Sequence, residues 1–181
     1  MSEATRSVAV FGSSEPRPGE PAYDEAYRVG RLLAGAGLRV VNGAYGGVME
    51  ASSRGARDAG GVTLGVGCRI FSAREPNPYN AELVLTEDLF ERTRELVARS
   101  DGFVILRGKA GTLAELAFLW ALERAGCLAD RPVVLLGAGW NDLLRFLKRA
   151  GMLEESQLAA SPVVETPEAA VDRFVRRWET G

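Results

Sequence analysis

The sequence predicts a Rossmann-like α/β fold, a doubly wound parallel sheet of about six or seven strands flanked by helices. Three observations carry that expectation. Short apolar, β-branched runs alternate with amphipathic helical stretches along nearly the whole chain. Two of the runs, Phe103-Val104-Ile105-Leu106 and Val133-Val134-Leu135-Leu136, are apolar at every position, as strands covered on both faces by helices must be. Glycines gather just after several runs, where the loops of such a sheet lead into helices. With 181 residues, no internal repeat and no Gly/Ser linker, the chain is expected to form one domain over 1–181.

Taken in order, the apolar runs predict strands at residues 7–11, 38–41, 62–66, 83–85, 102–106, 132–136 and a short 162–164. Helical periodicity fills the gaps at 21–36, 47–59, 89–100, 111–125, 140–150 and 167–178. Thr166-Pro167 opens the last helix as a favoured N-cap and first-turn pair. Segment 67–80, with Pro76 and Pro78, is long for a connection in this fold and reads as a site loop or an oligomer contact rather than a linker.

Composition removes whole classes of chemistry. The chain has no histidine, the usual general base near neutral pH and the commonest metal ligand. Serine–histidine and cysteine–histidine nucleophiles are therefore excluded, and Cys68 and Cys127 are too few for a four-cysteine zinc site. They are expected to be reduced core residues, and neither metal nor cofactor is expected. A net charge of -2 provides no basic field for nonspecific nucleic-acid binding. No apolar run approaches the roughly 20 residues of a membrane-spanning helix, and residues 1–6 are polar, so a cytoplasmic location is expected.

The glycine-bearing strand ends are the candidate site. The first strand ends in Phe11-Gly12-Ser13-Ser14, a turn whose hydroxyls and amides suit an anion or simply shape a polar surface corner. The second ends in Asn42-Gly43-Ala44-Tyr45-Gly46-Gly47, followed by Val48, Met49 and Glu50; glycines there let a ligand approach a helix N-terminus, where the dipole favours phosphate. The fifth ends in Leu106-Arg107-Gly108-Lys109-Ala110-Gly111-Thr112, which is neither a P-loop nor a Gly-x-Gly-x-x-Gly fingerprint, yet sets two cations beside a helix start. Phosphate is the natural ligand. By local spacing alone, Thr112-x-x-Glu115 and Asp88-x-x-Glu91 are capping boxes, and Arg92 is an ordinary solvated helix residue.

These motifs together resemble the Lonely Guy (LOG) family, members of which were once described as possible lysine decarboxylases. The resemblance spans residues 8–136. The family's Pro-Gly-Gly-x-Gly-Thr-x-x-Glu falls on Arg107 to Glu115, keeping Gly108, Gly111, Thr112 and Glu115 but replacing the proline and second glycine with Arg107 and Lys109. Gly-Gly-Gly-x-x-Gly-Leu-Met-Gly falls on Asn42 to Glu50 and keeps Gly43, Gly47 and Met49. Of Met-His-x-Arg-Lys only the arginine remains, as Arg92, with Phe90 at the histidine position.

The resemblance implies a Rossmann-like fold, a homodimer, and hydrolysis of the N-glycosidic bond of nucleoside 5′-monophosphates to free base and ribose 5-phosphate. It assigns catalysis to Arg92 and Glu115; with the local reading of the strand ends, phosphate or nucleotide binding is expected of Gly12, Ser13, Ser14, Gly43, Gly46, Gly47, Met49, Gly108, Gly111 and Thr112, and of the two cations Arg107 and Lys109 that the family lacks. A carboxylate can stabilise oxocarbenium charge while activating water, and needs no histidine to do so. The alternative is a non-catalytic module on the same fold, carrying a nucleotide or a group such as the molybdenum cofactor on Arg107 and Lys109, with Glu115 only a cap. Decarboxylation of lysine fits poorly, because nothing around Lys109 or Lys148 supports a Schiff base. The apolar helix at 116–122 is either a dimer contact or ordinary core, and Trp120 and Trp140 either line the pocket or fill the interior.

Overall fold

The computed structural model describes residues 5–128 and 131–179; the start of the polar N-terminal stretch and the outermost ends of the expected 1–181 domain lie outside them. Seven parallel strands form one sheet in the order β4-β3-β2-β1-β5-β6-β7. They are β1 (Ser7–Phe11), β2 (Arg39–Asn42), β3 (Thr63–Cys68), β4 (Glu82–Thr86), β5 (Gly102–Ile105), β6 (Val133–Leu136) and β7 (Val163–Val164). Between them run α1 (Pro21–Gly35), α2 (Val48–Asp58), α3 (Leu89–Ala98), α4 (Ala110–Arg124), α5 (Trp140–Arg149), α6 (Glu155–Ala160) and α7 (Pro167–Glu179). The α/β architecture expected from the alternation is the one observed.

Period-two geometry distributes each buried strand between two helical layers. Val8, Val10, Val104 and Leu106 face α1, α2 and α7, packing on Tyr23, Val29, Leu33, Ala51 and Phe174. Ala9, Phe11, Phe103 and Ile105 face the other way, onto Leu96 of α3, Leu116 and Leu119 of α4 and Trp140 of α5. Burying each large apolar side chain of this kind stabilises the fold by roughly 1.5–3 kcal/mol. β4 is exposed along most of its length because it forms the sheet edge.

Two local expectations are revised. α6 has no counterpart in the apolar periodicity; it is held by a box in which Glu154 caps the helix and Gln157 accepts from the Glu154 amide at 3.0 Å. Helix α4 begins one residue earlier than expected, with Lys109 at the N-cap. Thr112 thus lies inside the first turn and Glu115 beyond it, and no side-chain cap forms there. By contrast, Asp88 does cap α3, its carboxylate accepting from the Glu91 amide at 2.8 Å.

The chain proceeds from β1 outward to β2 on one side and returns to β5 on the other, so the strand order reverses between β1 and β5. The crevice beyond their carboxyl ends is where ligands of such sheets bind. The two strand exits are tied together: Leu106 N donates to Phe11 O at 2.8 Å, and Ser13 N to Arg107 O at 3.2 Å.

Candidate functional site

The floor of the crevice is the turn after β2. Gly47 sits at φ +68 and a Cβ there would lie 2.3 Å from Ser13 O, so only glycine fits; Val48 N, just beyond it, donates to that oxygen at 2.8 Å. Asn42, fully buried, braces the turn: its Nδ2 donates to Met49 O at 3.0 Å and to Ser53 Oγ at 2.7 Å, while Oδ1 accepts from Ala44 N at 2.9 Å. Ala44 itself is held at φ +74, a conformation that a side chain disfavours. The substitutions relative to a plain glycine turn thus come with their own polar scaffold.

Arg92 of α3 crosses over this floor. Its Nε donates to Val66 O at 2.9 Å and its Nη2 to Gly43 O at 3.0 Å, while Nη1 lies 3.5 Å from Glu115 Oε1 of α4. The two side chains are only 11% and 15% exposed, so Arg92 is far from the solvated residue local spacing suggests. Gly43 leaves room for that guanidinium, since a Cβ there would stand 1.7 Å from Arg92 Nη2 and push the side chain out of place. Burial pushes the Glu115 carboxyl up to about 7, and the Arg92 charge only partly offsets that rise.

One cleft, enclosing about 170 Å³, brings together Gly12, Ser13, Ser14, Gly43, Met49, Arg92, Lys109, Gly111, Thr112 and Glu115. The remaining positions named from sequence lie elsewhere. Gly46 and Gly47 border an adjoining groove that shares Ser14, Glu15, Tyr45 and Arg74 with the cleft. Arg107 and Gly108 line a separate pocket, with Glu25 and Trp140, on the far side of the β5–α4 turn. The chain bends at Arg107, and Gly108 packs so closely on Thr112 that a Cβ would lie 2.1 Å from its Oγ1. Lys109, left on the cleft side, meets Glu15 with Nζ 2.6 Å from Oε1.

Six cleft residues were not among the site residues named from sequence: Val10, Phe11, Glu15, Tyr45, Phe71 and Arg74. The only signal for the last two was the length of segment 67–80, which does reach the cleft. Trp120 belongs to the core, its Nε1 donating to Ser161 Oγ at 3.0 Å, and Trp140 packs in the core while edging the second pocket. Among the described residues, no cluster of three or more Cys, Asp or Glu could hold a metal ion. None of the described helices is long and apolar enough to cross a membrane.

Comparison with known proteins follows the same lines. The SLOG cluster4 family matches residues 5–167. A cytokinin riboside 5′-monophosphate phosphoribohydrolase of Mycobacterium tuberculosis is 35% identical over 132 residues, covering 72% of this chain and 70% of that one. A protein of the same description from Arabidopsis thaliana is 32% identical over 159 residues, covering 84% and 69%. In structure, the molybdenum cofactor binding protein of Rippkaea orientalis shares the fold at TM-score 0.74, with 23% identity over 94% of this chain and 95% of that one.

Proposed function

The chain belongs to the LOG family, within SLOG cluster4, and on that premise we propose that it hydrolyses the N-glycosidic bond of a nucleoside 5′-monophosphate, releasing free base and ribose 5-phosphate. The observation that carries this reading is the buried Arg92–Glu115 pair, 3.5 Å apart, in one cleft with Lys109 and the start of α4. Phosphate on the Gly111 and Thr112 amides and the Lys109 ammonium anchors the substrate at a helix N-terminus. Binding energy there, remote from the reacting bond, positions the anomeric carbon over Glu115.

In this mechanism the ionised Glu115 faces the oxocarbenium charge that develops on the ribose and takes the proton of the attacking water. A base that titrates near 7 is matched to neutral pH, so the role of the absent histidine falls to a carboxylate. Arg92, fixed by Val66 O and Gly43 O, holds that carboxylate in register and favours its charged form. The carrier alternative relies on Arg107 and Lys109 acting together on a multiply charged ligand. Because they open into different pockets, of these two only Lys109 adds charge to the cleft.

The test is incubation with AMP and cytokinin riboside monophosphates while free base is followed by chromatography. Base release that falls at least about 10²-fold in Glu115→Gln is expected. Full activity in that variant, or no release from any nucleotide, would reject the reading.

A cytoplasmic homodimer completes the proposal. Leu116, Leu119 and Trp120 are spent on the core, whereas Leu113 and Phe118 leave α4 with a second apolar side, 41% and 42% exposed. Sedimentation analysis should give twice the chain mass, and Phe118→Glu should shift it toward the monomer.

A further inference from the structure

The residues joining β3 to β4 contain a short arch that the mechanism above leaves without a role. Both of its feet are pinned to the turn after β2. At one foot, Tyr45 Oη donates to Cys68 O at 2.9 Å and accepts from Cys68 N at 2.8 Å. At the other, Asn77 donates to Ala44 O from both its backbone N and its Nδ2, each at 2.8 Å, and Asn80 Nδ2 adds a third bond at 3.1 Å. The carbonyl that receives all three belongs to the residue held at φ +74, so the strained turn is what aims the acceptor at the arch. Between the feet, Phe71 and Arg74 line the cleft. Phe71 meets the Tyr45 ring edge-on, centroids 5.6 Å apart, and the Arg74 guanidinium lies 5.2 Å from the Phe71 ring centroid.

Their position in the sheet says which part of a ligand they meet. Lys109, Gly111 and Thr112 follow β5, Phe71 and Arg74 follow β3, and β1 and β2 stand between. Three inter-strand steps of about 4.8 Å separate the two ends by about 14 Å, comparable to an extended nucleotide. With phosphate at the start of α4 and the anomeric carbon over Glu115, the group left to reach β3 is the base. We propose that residues 69–76 form a base-reading arch, in which Phe71 stacks on the leaving base and Arg74 donates to its ring nitrogens. The proposal rests on the nucleotide-hydrolysing reading of the same cleft.

The arch supplies what the Arg92–Glu115 pair does not, a group for the departing base. When the C1′–N bond breaks, its electron pair leaves on the base; water's oxygen bonds C1′, its proton passes to Glu115, and the base takes a proton from solvent. Arg74 faces the negative charge during that departure. A flat ring stacked on Phe71 is sequence-tolerant, whereas the guanidinium selects bases that present acceptors on the facing edge.

The experiment compares wild type with Phe71→Ala, Arg74→Ala and Arg74→Lys, on AMP and on 7-methylguanosine 5′-monophosphate, whose purine is already cationic and leaves neutral. Ribose 5-phosphate serves as the competitive inhibitor lacking a base. Phe71→Ala should raise KM for AMP about tenfold while ribose 5-phosphate inhibits unchanged. Arg74→Ala should lower kcat on AMP at least about tenfold and leave kcat on the methylated nucleotide within about twofold, with Arg74→Lys recovering part of the loss. Unchanged kinetics in both alanine variants would overturn the proposal, as would equal weakening of ribose 5-phosphate and AMP, which would put the arch on the phosphate. If wild type releases no base from either nucleotide, the hydrolytic reading fails by itself. Calorimetric titration of AMP and ribose 5-phosphate into wild type and Phe71→Ala then decides the arch, a loss confined to AMP supporting it and no such loss overturning it.

Discussion

Replacing Glu115 with glutamine should make the protein more stable and inactive at once, by an amount that depends on pH. The carboxyl titrates near 7 in the folded chain against an ordinary value of 4.5, the rise coming from burial and already including the opposing attraction of Arg92. Below about pH 4.5 the group is protonated whether folded or not, and wild type and variant are equally stable. Between 4.5 and 7 the unfolded chain releases a proton that the folded chain keeps, so wild-type stability falls as pH rises. Above 7 the loss levels off at about 3 kcal/mol, the free energy of holding a carboxyl at about 7 instead of 4.5. Glutamine has the same shape and no charge to desolvate, so Glu115→Gln should gain that amount at pH 8 and less than about 1 kcal/mol at pH 5. In a chain of this size the gain at pH 8 is a rise in melting temperature of about 6–12 °C. Urea unfolding at pH 5, 6.5 and 8 measures the gap directly. A gap that does not widen with pH, or a variant less stable than wild type at pH 8, would refute the account of Glu115 as a carboxylate charged at the expense of the fold.

Three other outcomes follow from the same geometry. The wild-type kcat/KM profile should rise through about pH 7 as Glu115 ionises, and Arg92→Ala, by removing the charge that lowers the Glu115 value, should move that limb to higher pH as well as reduce kcat. Gly43→Ala puts a methyl group where Arg92 Nη2 now lies, 1.7 Å from the Cβ position; steady-state assays should show kcat down about 10²-fold, with circular dichroism unchanged. Lys109→Ala should raise KM for the nucleotide about tenfold at low salt and less at high salt, yet alter stability by under about 0.5 kcal/mol, because its bond to Glu15 is between side chains 73% and 61% exposed.

How much of this was legible in the sequence depended on the range of the interaction involved. The strands and the main helices are written in local hydrophobic period, and Gly43, Gly47, Arg92 and Glu115 stand in motifs whose order is visible in one dimension. α6 escaped because six residues under a glutamate cap hardly signal in a periodicity scan. Arg107 and Lys109 looked like one phosphate grip because they are two positions apart; the bend at Arg107 leaves them lining different pockets.

The sequence by itself determined the layered α/β plan, since alternating apolar runs leave few other ways to bury strands on both faces. It also excluded every chemistry that needs imidazole. Only the tertiary structure decided that Glu115 is a shifted acid rather than a helix cap, because desolvation requires α3 and α4 to close over a pair that local spacing would leave in water. Only the tertiary structure, too, set Phe71 and Arg74 in the cleft, through bonds to Ala44 and Tyr45 that no local pattern encodes.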